Sequence, residues 1–152
     1  MKYVLDTNVV KRLATPKRNA NVDKWLAVID EPELFITCMT VQEVQKGIEL
    51  LRRQGSAEKV ETARQIEVAF DVFLSQVEGR ILPLDAAAAR DWGRRLARHG
   101  TRNANDLAII AIVATQKDAV AVTQNLADFR HRGIRVLNPY DDPPSQFNDA
   151  ET

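Results

Sequence analysis

Tyr3-Val4-Leu5-Asp6-Thr7-Asn8 is the stretch on which the fold reading turns. Its three apolar residues read as a short buried strand, and Asp-Thr-Asn suits a helix start, because these side chains satisfy orphan backbone N–H groups. A helix from about Asn8 to Leu13 follows, and the chain then repeats the same change of period. Leu34–Thr37, Arg80–Leu84, Ala119–Thr123 and Ile134–Leu137 read as further strands. Between them the apolar spacing predicts helices starting at Asn21, at Thr40 (to about Arg53), at Ser56, and at Asp85 (to His99-Gly100). Another, from Asp106 to Lys117, is apolar almost all round and so should be buried, and Leu126–Phe129 makes a short helical turn. This alternation implies a single α/β domain, a mostly parallel five-stranded sheet flanked by helices.

Its 152 residues suit one core, and no apolar run approaches the ~20 residues that span a bilayer. Met1-Lys2 leads straight into a strand rather than into the apolar region of a signal peptide, and the lone cysteine, Cys38, has no partner for an internal disulfide. A cytoplasmic protein without membrane association is therefore expected. Net charge is zero, which carries no global signal for nucleic acid. From Asp141 onward the chain holds Asp141, Asp142, Asp149 and Glu151, with Pro143 and Pro144 and no Lys or Arg. Residues 141–152 accordingly read as an acidic, disordered tail, which leaves the domain of residues 1–140 at a formal +4. Its basic residues cluster at Lys11/Arg12/Lys17/Arg18, Arg94/Arg95/Arg98/Arg102 and Arg130/Arg132/Arg135. These clusters suit solvated helix faces and loops; a basic rim would also suit a phosphodiester.

Four carboxylates fall at comparable places in the alternation: Asp6 after the first strand, Glu43 and Asp106 opening helices, and Asp128 after the fourth strand. In open sheets, ligands gather beyond the carboxyl ends of the strands where the strand order reverses. Each acid also has a local use. Asp6 and Asp106 suit helix starts, Thr40-x-x-Glu43 forms a capping box, and Asp128 suits a turn. Four acids brought to one sheet edge, however, make a site that cations must neutralise.

Taken in order, LDTNVV, TVQEV, ANDLAIIAIVA and VTQNLADFRHRGIRVLNPY resemble the signature of PIN-domain nucleases, and within them the VapC-like toxins including FitB-type members. The resemblance covers Met1 to about Tyr140. It implies a Mg²⁺- or Mn²⁺-dependent ribonuclease, a homodimer, and inhibition by a cognate antitoxin. By motif it assigns metal-binding and catalytic roles to Asp6, Glu43, Asp106 and Asp128, and supporting polar roles to Asn8, Thr123 and Asn125.

Carboxylates and water are the ligands that hard Mg²⁺ or Mn²⁺ prefers, and neither His99 nor His131 has a ligand-spaced partner. The chemistry expected is metal-assisted in-line hydrolysis of a phosphodiester, which the resemblance implies is RNA, with Arg94, Arg98 and Arg102 as candidate RNA contacts. A regulatory partner of a DNA-binding antitoxin, acting by assembly and repression, is the alternative from another class. A phosphatase using Asp6 as nucleophile would usually show Asp-x-Asp, and here the third position is Asn8.

Overall fold

Val4 and Leu5 are both fully buried although their side chains point to opposite faces of one strand, so that strand needs cover on both sides. The computed structural model describes residues 1–13 and 19–151 and shows how the cover is made. Strands β1 (Lys2–Leu5), β2 (Leu34–Thr37), β3 (Ile81–Leu82), β4 (Ala119–Val122), β5 (Arg135–Asn138) and β6 (Ser145–Asn148) form one sheet in the order β3-β2-β1-β4-β5-β6. All neighbours are parallel except β5 and β6. The strand order reverses between β1 and β4, whose register pairs Leu5 with Val122.

The helices are α1 (Thr7–Leu13), α2 (Ala20–Leu26), α3 (Cys38–Arg53), α4 (Ala57–Gln76), α5 (Ala86–His99), α6 (Ala104–Ala114) and α7 (Leu126–Phe129). Helices α1 to α4 bury Val9, Trp25, Ile48 and Phe70 on one sheet face, against Leu5, Val120 and Val122. Helices α5 to α7 bury Ala88, Ile109, Ile112 and Phe129 on the other, against Val4, Ala121 and Val136. Every residue of α6 from Leu107 to Val113 is buried, as its all-round apolar sequence predicts. No described helix is long and apolar enough to cross a membrane.

The sheet has six strands where five were expected, and the sixth comes from the stretch read as a disordered tail. Three contacts outweigh that stretch's charge and proline content. Its backbone pairs with β5 from Arg135↔Asn148 to Asn138↔Ser145, the Arg130 guanidinium lies 3.6 Å from the Phe147 ring, and the buried Asp149 carboxylate accepts the His131 N–H at 2.7 Å. Strand β3 is shorter than Arg80–Leu84 because Pro83 has no N–H to continue the ladder. Helix α6 begins at Ala104 and ends at Ala114, earlier at both ends than the expected Asp106–Lys117. Lys17 and Arg18 of the first basic cluster lie outside the described residues.

Candidate functional site

At the β1/β4 reversal the chain leaves β1 with the Asp6 N–H bonded to the Val122 carbonyl at 2.9 Å. This turns the Asp6 side chain into a nearly closed environment, 4 % exposed. Its Oδ1 accepts the Thr7 N–H and its Oδ2 accepts the hydroxyl of fully buried Thr123, both at 2.8 Å. The Thr123 hydroxyl in turn accepts the Asn125 N–H at 2.9 Å. Burial pushes the Asp6 carboxyl above its usual range; the bonds from Thr123 and Thr7 pull it down, and the Glu43 charge adds to the rise.

Glu43 arrives from α3. The capping-box reading does not survive, because α3 starts at Cys38 with Thr37 as its cap, accepting the Thr40 N–H at 3.3 Å. Glu43 therefore sits beyond the first turn, with no capping duty, and its Oε1 is buried with no hydrogen-bond partner among the described residues. A buried, unsatisfied carboxylate oxygen is costly, so it needs a donor or a cation. Thr40, freed in the same way, shares a 3.0 Å hydrogen bond with the Thr7 hydroxyl and ties α3 to the residue after Asp6.

Asp106 lies in the first turn of α6, and the Trp92 indole N–H holds that turn against α5 by donating to the Ala104 carbonyl at 2.8 Å. Its carboxyl is pushed up from 3.8 to about 7, first by burial and then by the charges of Asp6, Glu43 and Asp128. Asp128, on α7, accepts from the Asn103 amide at 3.0 Å and the Asn125 amide at 2.7 Å. The Asn125 amide also reaches Asp106 at 3.4 Å. Asn103, Thr7 and Thr40 are thus site-positioning residues that motif reasoning passed over. In the sequence Thr7 and Thr40 carry only a helix-capping signal, and Asn103 carries none.

Glu43 and Asp106 line one cleft with Arg102 and Asn103. Arg94 and Arg98 are exposed on α5 and line a different pocket, and Asn8 is exposed on α1. The donors are carboxylate, hydroxyl and amide oxygens, the chemistry of a hard cation's site. Two observations pull apart here. The four acids share one electrostatic field, yet among the described residues no three His, Cys, Asp or Glu side chains are arranged so that they could hold a metal ion. The field depends on where the elements put the acids; the arrangement depends on rotamers, and Asp6 and Asp128 have both oxygens engaged by neighbouring donors. The residue types and the orphaned Glu43 oxygen fit a hard cation, whereas a finished cage is not present.

The family model described as PIN domain matches residues 3–134. The chain belongs to the PIN-domain family. Within it, the chain is 30% identical over 142 residues to Toxin FitB of Neisseria gonorrhoeae, covering 91% of this chain and 99% of that protein. A 48-residue stretch is 40% identical to Ribonuclease VapC14 of Mycobacterium tuberculosis, covering 32% of this chain and 47% of that one. Among solved structures, FitAB bound to an IR36 DNA fragment superposes with a TM-score of 0.73 at 27% identity, over 91% of this chain and 96% of the other. This PIN-domain protein is closely related to the VapC- and FitB-like toxins of type II toxin–antitoxin systems.

Proposed function

We propose that this PIN-domain protein is an endoribonuclease dependent on Mg²⁺ or Mn²⁺ and the toxin of a toxin–antitoxin pair. One observation carries the reading. Acids from the end of β1, from α3, from α6 and from α7 converge so that burial first, and then the charges of Asp6, Glu43 and Asp128, push the Asp106 carboxyl up to about 7. The relative named as a ribonuclease supports the reaction class.

Asp6, Glu43, Asp106 and Asp128 would hold the cation. When bound, a divalent ion supplies a water of lowered pKa and offsets charge on the phosphate. The chain's own residues set the rest. Thr123 and the Thr7 N–H orient the Asp6 carboxylate, Asn103 and Asn125 orient that of Asp128, and exposed Asn8 adds a polar group on α1. Arg102, at the cleft rim, draws a phosphate toward the acids. Attack by water leaves 5′-phosphate and 3′-hydroxyl ends. The solved FitAB and VapBC complexes support a cognate antitoxin as partner, and an antitoxin arginine paired with these acids would block the cation site. A homodimer and a cytoplasmic setting complete the proposal.

The experiment is cleavage of total RNA by purified protein with Mn²⁺ and with EDTA, followed by end-group analysis. Metal-independent cleavage, or 2′,3′-cyclic phosphate ends, would refute it. The DNA-bound FitAB structure favours a second reading, a regulatory partner of a DNA-binding antitoxin that acts by assembly and repression. Asp6→Asn separates the two, because repression survives that substitution and cleavage does not.

A further inference from the structure

We infer that a basic pocket beside the acid cleft is a subsite for a backbone phosphate of the RNA, flanking the phosphate at the acids; this rests on the nuclease reading above. Arg94, Arg98 and His99 of α5 line the pocket, together with His131 and Arg132 from the segment after α7. Arg95 joins the two sides. It pairs with Asp91 at 2.6 Å and donates to the Arg132 carbonyl at 2.7 Å, so the pocket is built on fixed backbone.

The charge there is in excess. Besides Asp91, the remaining acid is Asp149, which accepts the His131 N–H and lies 3.8 Å from Arg130. Among the described residues no carboxylate pairs with Arg94 or Arg98. Among the described residues the buried Arg132 Nε has no hydrogen-bond acceptor. The His99 imidazole reports the same field: burial, then Arg132, Arg98 and Arg95, hold it below its ordinary pKa.

The lining contains no apolar side chain. A docked helix would need an apolar groove, whereas the arginines of this lining offer charge-assisted donors to an anion, so the fitting ligand is a phosphodiester backbone. Two chain connections join the pocket to the acids. His99 is three residues before Arg102 at the cleft rim, and His131 is three residues after Asp128. Three residues reach at most about 11 Å, a span one short single strand covers.

The test uses the full-length chain in EDTA, with a labelled single-stranded RNA of about twelve nucleotides, within the length that one such groove holds. Binding is measured against salt for wild type, for Arg94→Ala/Arg98→Ala and for Arg98→Glu, all at exposed positions. The double variant should flatten the slope of log K against log salt by about 0.7, the share of the one single-strand phosphate that the subsite neutralises. Unchanged slopes in both variants overturn the subsite. An equal flattening with duplex DNA overturns the assignment to RNA, and an equal loss with an acidic peptide overturns the assignment to a phosphate. Failure of the nuclease reading shows separately, as absence of Mn²⁺-dependent cleavage by the wild type.

Discussion

Replacing Asp106 by Asn in metal-free protein removes the charge on which three other acids act, while keeping the side chain's shape. Its carboxyl rises from 3.8 in an unfolded chain to about 7 in the fold, so the native state binds the extra proton between those values. Stability is therefore full below about pH 4 and is lost as pH rises through 7. A shift of that size corresponds to about 4 kcal/mol before screening. Asp106 is only half-buried, and water screens it, so about 1–2 kcal/mol is the realistic loss. At pH 8 in EDTA, Asp106→Asn should accordingly unfold at higher urea, or melt about 2–8 °C higher, than wild type. At pH 4 the two proteins should coincide. Mn²⁺ at pH 8 should recover the same stability in the wild type and less in the variant. If Asp106→Asn is no more stable than wild type at pH 8, neither burial nor the charges of Asp6, Glu43 and Asp128 weigh on this carboxylate, and the cation proposal loses its support.

Asp6→Asn should reduce Mn²⁺-dependent RNA cleavage at least about 100-fold with an unchanged circular dichroism spectrum, since it neutralises a proposed ligand without altering shape. Thr123→Val removes the donor to Asp6 and the acceptor of the Asn125 N–H, and should weaken Mn²⁺ affinity about 10–100-fold, read by calorimetry. Deleting residues 141–152 strips β6, the Phe147–Arg130 contact and the buried Asp149 carboxylate; urea unfolding should show a loss of about 2–4 kcal/mol. Ile110→Ala in α6 should cost about 2–5 kcal/mol by the same measurement, through the cavity it leaves beside β4.

Asp6, Asp106 and Asp128 stand where a strand ends or a helix begins, a position that hydrophobic period marks, whereas Glu43 lies beyond the first turn of α3 and has no such mark. What local pattern could not settle was the choice between equivalent neighbours. Thr37 and Thr40 are chemically interchangeable as caps, and only the pairing of β2 with β3, which ends at Thr37↔Leu82, makes Thr37 the last strand residue and so frees Glu43. Strand β6 was hidden for another reason. Three polar residues and a single phenylalanine among acids and prolines carry no strand alternation of their own, and their anchors at Arg130 and His131 are distant in the chain. Asn103 was hidden likewise, since nothing in TRNAN announces a bond to Asp128.

The two borders of the sheet have a consequence for how the molecule meets others. One border is β3, with two residues; the other is the four-residue β6, just after Pro143-Pro144. Neither offers the long, flat, hydrophobic ladder that would recruit a foreign strand. Association with further chains must then be written in side-chain surface chemistry, where single substitutions can retune who is admitted.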